Sequence, residues 1–243
     1  MPKIYPSDNK NIFWPSNEKT LGIVGMSPYA TLEFLKIFYN LIPTKKEWEY
    51  PRVLLDMNTK IPSRGRYFEL GEENPSLYIS QTIKELHNQG ADCILIPCNT
   101  VHILIDEWGK QSPIPIISIL EAVTEEAKNY QGKIITFGTK TTKKKRIYTN
   151  LLIEKGLLAT DVDDKQQNII SSIIEEIKKF GYFDDKNHLL KELLNNLDKS
   201  ITTIILGCTE LSYIKKYLEE NGFNAIDSNT ALAKKAIKFI MKE

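Results

Sequence analysis

The chain has 243 residues, 42% apolar and 26% charged, enough to bury a sizeable core in one large α/β unit or two compact domains. Its 32 basic and 31 acidic side chains leave a net charge of +1, so no general electrostatic case arises for a nucleic-acid or membrane-surface partner. No apolar run approaches the ~18 residues that would suggest a membrane-spanning helix. The stretch Met1 to Thr20 is polar, carries Pro2, Pro6 and Pro15, lacks the apolar centre of a signal peptide and reads as a loose leader. Three cysteines are too few for a disulfide scaffold, and with no export signal a reducing cytoplasm is expected, which leaves the thiols free for chemistry.

In chain order, Leu21 to Val24 reads as a strand, and Gly25-Met26-Ser27-Pro28 turns into a helix over Thr31 to Leu41. Val53 to Met57 is the next strand, Asn74-Pro75 opens a helix to Asn88, and Gly90 stops it. Cys93 to Pro97 is a strand, followed by a helix over Val101 to Trp108. Pro113 and Pro115 precede Ile116-Ile117, and Glu121 to Tyr130 is helical. A second series then begins with a strand over Lys133 to Phe137, a turn at Gly138-Thr139, and a helix over Thr142 to Glu154 closed by Gly156. Helical patterns follow over Lys165 to Phe180 and Asn187 to Leu197, then a strand over Ile201 to Leu206 and a helix to Asn221 ended by Gly222. Ser228 is placed to cap a last helix to Met241. Apolar strands alternating with helices predict α/β architecture with parallel sheets, whose ligands bind at the carboxyl ends of the strands.

Two cysteines fall at such ends in matched settings, Ile96-Pro97-Cys98-Asn99-Thr100 and Leu206-Gly207-Cys208-Thr209-Glu210. Each follows an apolar strand and precedes a helix, whose amino end would stabilise a thiolate and draw a thiol from about 8.5 toward neutrality. Amides at the same end would receive a carboxylate, with Asn99 and Thr100 adding side-chain donors. Taken alone, Cys98 is as well read as a buried structural thiol; the second occurrence favours a functional pair. Cys93, mid-strand among apolar neighbours, reads as inert core. His102 shares a helical face with Cys98 and could tune it, bind metal or simply pack, but three histidines and no Cys-x-x-Cys pair give a zinc site little support. His87 and His188 read as surface residues. Gly22-Ile23-Val24-Gly25 is not a full dinucleotide fingerprint and no Walker-type sequence is present. Arg64 ends Asn58-Thr59-Lys60-Ile61-Pro62-Ser63-Arg64, a proline-stiffened loop suited to carboxylate binding, although an exposed loop arginine is the plainer reading. The basic run Lys143-Lys144-Lys145-Arg146 reads as a solvated helix face.

The segments Pro97-Cys98-Asn99-Thr100-Val101-His102 and Leu206-Gly207-Cys208-Thr209-Glu210-Leu211 resemble the two cysteine signatures of the aspartate/glutamate racemase superfamily. Gly25-Met26-Ser27-Pro28 resembles its Gly-Gly-Met-Gly-Pro loop, and Ile61-Pro62-Ser63-Arg64 its Ile-Pro-Asp-Arg segment. Gly138-Thr139, with Thr142, Tyr148 and Gly156, resembles its mid-chain Gly-Thr block. The order holds from about Leu21 to the C-terminus. The departures are Val24 and Ser27 for two glycines, and Ser63 for the acid before the arginine.

The resemblance implies two similar α/β domains, 1–117 plus 219–243 and 118–218, with 1–20 as a polar extension and the site in the cleft between them. It implies catalysis without pyridoxal phosphate or metal, and a homodimer. Cys98 and Cys208 would be the acid/base pair that racemises aspartate or glutamate at Cα. Arg64 and Lys178 would hold the side-chain carboxylate, the latter within Ile174-Glu175-Glu176-Ile177-Lys178 and adjacent to Lys179, which a one-residue slip would exchange for it. Met26, Asn99, Thr100, Thr139 and Thr209 would line the substrate. A broad or neutral amino-acid racemase, another isomerase of the superfamily, and a catalytically silent amino-acid-binding protein are the alternatives.

Overall fold

The computed structural model describes residues 18–44, 46–182 and 188–241. Most of the leader and the start of the helix expected at Asn187 lie outside those residues. The first half runs β1 (Leu21–Gly25), α1 (Pro28–Leu41), β2 (Val53–Met57), α2 (Arg64–Leu70), α3 (Ser76–Asn88), β3 (Cys93–Leu95), α4 (Ile105–Trp108), β4 (Ile116–Ile117) and α5 (Ile119–Ala127). The second runs β5 (Lys133–Phe137), α6 (Lys140–Lys144), α7 (Ile147–Glu154), β6 (Ala159–Asp161), α8 (Asp164–Phe180), α9 (His188–Asn195), β7 (Ile201–Leu206), α10 (Lys215–Glu220), β8 (Asn224–Asp227) and α11 (Ser228–Ile240). Two four-stranded sheets result, ordered β2-β1-β3-β4 and β6-β5-β7-β8, with every pairing parallel. The same topology therefore occurs twice, with helices on the faces.

Burial on both faces explains why these strands read as apolar runs. In β1 and β3, Leu21, Ile23, Cys93 and Leu95 face α1 and α11, while Ile94 packs toward α3 and Trp108. In the second sheet Ile204 and Leu206 join the α8 side, and Ile134 and Ile205 join Tyr148 and Leu152 on the other. Helix α8 shows the logic most clearly. Ile169, Ile170, Ile173, Ile174 and Ile177 recur at helical spacing and are all buried, each contributing about 1.5–3 kcal/mol. Asp163 starts the helix with a reciprocal capping box to Gln166, and Gly181 in the left-handed region ends it.

Several expectations shift. The strand that begins at Cys93 ends at Leu95, so Cys98 stands on a loop beyond the strand rather than at its tip. A short 3₁₀ helix follows both Cys98 and Cys208, over Thr100–Leu104 and Thr209–Ile214; a short 3₁₀ segment carries less aligned dipole than the expected helix. The helix expected over Thr142 to Glu154 is two, broken at Arg146, whose φ of 50° is left-handed. The basic run thus marks a corner, with Arg146 bonded to Asp161. Asp227, not Ser228, caps α11, accepting from the amides of Asn229 and Thr230. Finally, β8 pairs with β7, so the chain is still in the second sheet at residues 224–227, beyond the expected return to the first half at 219. Only α11 crosses back, placing Leu232, Ala233, Ala236 and Ile240 against the first sheet.

Gly22 explains why the first strand begins like a nucleotide fingerprint without being one. A Cβ there would lie 2.5 Å from Ile94 Cδ1 and 2.9 Å from Ala91 Cβ, so the glycine serves close packing. Gly22→Ala is expected to lose about 1–3 kcal/mol of stability through overpacking, read as a lower urea midpoint with the slope unchanged.

Candidate active site

Cys98 and Cys208 both follow interior strands. β3 lies between β1 and β4, and β7 between β5 and β8, so each thiol is delivered to the centre of its sheet's carboxyl edge. The two edges face one another, and Cys98 and Cys208 line one cavity of about 170 Å³. All the expected substrate residues line it too: Met26, Arg64, Asn99, Thr100, Thr139, Lys178 and Thr209. Hydrogen bonds from side chains of both halves close its floor. Tyr148 on α7 donates to Asn99 Oδ1, and Asn99 Nδ2 donates to Ser228 Oγ at 3.1 Å. Thr100 and Thr139 share a hydroxyl contact at 3.2 Å, and Thr139 meets Thr142 at 2.9 Å. The Asn99 amide is therefore largely committed to holding the two halves together.

The two thiols differ in setting. Cys208 is buried and donates from Sγ to Glu210 Oε2 at 3.0 Å. Burial, and then the Glu210 carboxylate, push its pKa well above the ordinary thiol range, and Lys178 only partly opposes them. The expected drift toward neutrality fails there, because a short 3₁₀ helix does not outweigh desolvation and an adjacent anion. Cys98 is partly exposed to the cavity. Cys93 is fully buried and pushed up to about 12 by desolvation, as expected of core.

Arg64 is the first residue of α2, with Ser63 as its N-cap accepting from the Arg66 amide, so the arginine sits on a helix end rather than on a free loop. The serine that departs from the expected acid thus has a structural task. Lys178 lies at the rim, open to solvent on one side. Partial desolvation opposes its charge, but Cys208, Glu210 and Cys98 outweigh it and raise its pKa, with Arg64 in opposition. The neighbouring Lys179 lies over the Phe180 ring and does not line the cavity.

The sequence model of the Asp/Glu/hydantoin racemase family matches residues 23–236. The chain belongs to that family. It is therefore an isomerase-class enzyme of the racemase kind. The chain of this racemase is 25% identical over 219 residues to the broad specificity amino-acid racemase RacX of Bacillus subtilis (strain 168), covering 88% of this chain and 95% of that one. It is 28% identical over 173 residues to the glutamate racemase of Aquifex aeolicus, covering 68% of this chain and 65% of that one. The aspartate racemase of Picrophilus torridus superposes with a TM-score of 0.81 at 25% identity, covering 93% of this chain and 95% of that structure. Among the described residues no helix is long and apolar enough to cross a membrane.

Sequence reasoning gave no role to three carboxylates in the racemase cavity, Glu69, Glu175 and Glu210. Glu69 and Glu175 had no signal beyond being helical acids. Glu210 was visible within the second cysteine signature, but its orientation was not.

His102 is buried, and its Nδ1–H donates to the Cys98 carbonyl at 2.8 Å, fixing the thiol's backbone. Its Nε2 has no partner, and the ring meets Trp108 edge-on. Burial holds its pKa down at about 4, against 6.5 for a free imidazole, although the Cys98 carbonyl and Glu121 pull the other way. The folded pKa lies below the unfolded one, so acid favours the unfolded chain. Stability from this group is complete above about pH 6.5 and falls as pH drops toward 4, by about 3 kcal/mol. Urea unfolding at pH 7 and pH 4 checks this: His102→Gln should show a smaller acid loss than the parent by about that amount.

Proposed function

We propose that the protein is a cofactor-independent amino-acid racemase that interconverts L- and D-aspartate or glutamate by proton transfer at Cα between Cys98 and Cys208. The single observation that carries this reading is that both thiols and both cations, Arg64 and Lys178, line one small cavity. Its volume of about 170 Å³ suits one small amino acid and falls below the ~300 Å³ of larger ligand sites. In this reading the α-carboxylate lies beside Asn99 and against Thr100, Thr139 and Thr209, whose hydroxyls turn from their present partners to the ligand. Arg64 and Lys178 hold the distal carboxylate. One cysteine, as thiolate, removes the α-proton; the other, as thiol on the opposite face, returns one. Retention of both thiols favours two-sided transfer over the single-thiol decarboxylases of the superfamily. Donors converging on the developing negative charge, in a site shielded from water, supply the stabilisation that a weak carbon acid needs.

One observation supports a second reading. Glu69 and Glu175 share the cavity wall with the cations. The wall is therefore mixed in charge and would tolerate neutral or basic side chains, consistent with the broad specificity of the Bacillus relative.

Incubation of L-aspartate and of L-glutamate in D₂O with the reduced protein and no added cofactor tests the first reading. Loss of the α-proton signal with formation of the D-isomer is expected, and exchange with neither acid but with neutral or basic amino acids would favour the second. Cys98→Ala and Cys208→Ala should each abolish racemisation; normal turnover by either would end the two-thiol scheme. Arg64→Ala should raise KM for the acidic substrate by about ten- to hundred-fold, the loss of a charge-assisted carboxylate contact. Because one thiol must be charged and the other neutral, the rate should be bell-shaped in pH.

A further inference from the structure

The two halves meet through a repeated contact. Two positions after each cysteine stands a polar residue, Thr100 in one signature and Glu210 in the other. Two positions after the end of each half's first strand stands a hydroxyl, Ser27 after β1 and Thr139 after β5. Each hydroxyl reaches across to the other half's residue: Thr139 to Thr100 at 3.2 Å, and Ser27 Oγ to Glu210 Oε1 at 3.2 Å. The crossings are equivalent in the fold and unequal in chemistry. One joins two neutral hydroxyls; the other ends on a carboxylate.

That carboxylate is buried, and three donors surround it. Ser27 takes Oε1, while Cys208 Sγ at 3.0 Å and Thr209 Oγ1 at 3.3 Å share Oε2. Among the described residues no side chain bonds Cys98 Sγ. We propose that Glu210, whose other oxygen accepts from Ser27 across the cavity, is a positioning residue that keeps the proton on Cys208 and so makes the two thiols unequal.

The other charged or titratable groups facing Cys208 are few. Lys178 from α8 favours its thiolate, and Cys98 across the cavity disfavours it. Tyr148 from α7, near both thiols and Asp227 of β8, stays protonated through burial. Glu210 is the one of these that bonds the sulfur. In the free enzyme Cys208 is then held as the thiol. The catalytic meaning rests on the two-thiol reading above. An enantiomer presenting its Cα–H to Cys98 gives that proton to the Cys98 thiolate, and its carbanion takes the Cys208 proton. The enzyme is left with Cys98 protonated and Cys208 ionised, and exchange of one proton each with water resets it. The opposite enantiomer has to await an ionised Cys208. Ser27 moderates the effect, because its donor stabilises the carboxylate charge and weakens its hold on the thiol proton.

The test uses no substrate, so it is independent of whether the protein racemises aspartate. Alkylation by iodoacetamide is followed against pH, with each cysteine quantified separately by mass spectrometry in the parent, Glu210→Gln and Ser27→Ala. In the parent, the Cys208 midpoint should lie above the ordinary thiol range. Glu210→Gln should lower the Cys208 midpoint by a unit or more, about a ten-fold gain in its thiolate fraction below the midpoint, with a much smaller change at Cys98. Ser27→Ala, which leaves the buried carboxylate in place and decides the matter should the glutamine variant fail to fold, should raise the Cys208 midpoint. An unchanged Cys208 midpoint in both variants, or equal shifts of both cysteines, would overturn the proposal.

Discussion

The buried hydrogen-bond chain from Tyr148 through Asn99 to Ser228 is the constraint on which the site depends. It joins α7 of the second half, the Cys98 loop of the first, and the head of α11. Buried polar groups are costly unless paired, so this chain admits one relation between the cysteine loops and penalises others. Gly207 belongs to the same arrangement: a Cβ there would lie 3.0 Å from the Tyr148 ring, so the residue before Cys208 has to be small for the tyrosine to reach Asn99. The extension runs on through Asp227, which caps α11 and accepts from Ser212 at 2.6 Å, and through Asn229, which donates to the Thr209 carbonyl at 3.1 Å. Both cysteine turns are thus tied to one helix start.

Around this pivot the repeated sheets contribute direction and the side chains contribute difference. Parallel strands of the same order send both thiols toward a common space. What distinguishes the two sides is local: a carboxylate and deep burial at Cys208, and a partly exposed sulfur on a loop held by His102 at Cys98. A fold that repeats itself need not have a symmetrical site, and here the asymmetry lies within four residues of each cysteine.

Much of this was legible in the sequence because it rests on period and punctuation. The apolar strands, the long isoleucine face of α8 and the glycine stops at Gly90 and Gly222 are local signals, and the matched cysteine settings point to opposed loops without any coordinates. The features that escaped are those that local pattern does not encode. β6, Ala159–Asp161, and β8, Asn224–Asp227, are short edge strands with few apolar residues, and they exist because a neighbouring strand offers them a ladder. The break at Arg146 is a tertiary corner hidden inside a helical pattern. Helix α2 begins at Arg64 because Ser63 caps it, and the loop-like Ile-Pro-Ser-Arg stretch masks that start. Glu210 meets Ser27 across the cavity, a contact between residues distant in the chain that no window of sequence joins.

Helix α11 bears on how a ligand reaches the cavity. Its small residues seat it closely: Leu232, Ala233, Ala236 and Ile240 lie on the first half's core, and Ala231 lies on the second's. Lys234 and Lys235 add ion pairs to Glu126, Glu121 and Glu125 of α5. Drawing the halves straight apart would strip apolar surface from that helix on both sides at once. A small rotation that leaves it seated would expose far less, so α11 is placed as an axle rather than a latch. The cavity that α11 helps to hold is lined by charges of both signs, Arg64 and Lys178 with Glu69 and Glu175, so the two halves bring opposed charges together there as well as two thiols.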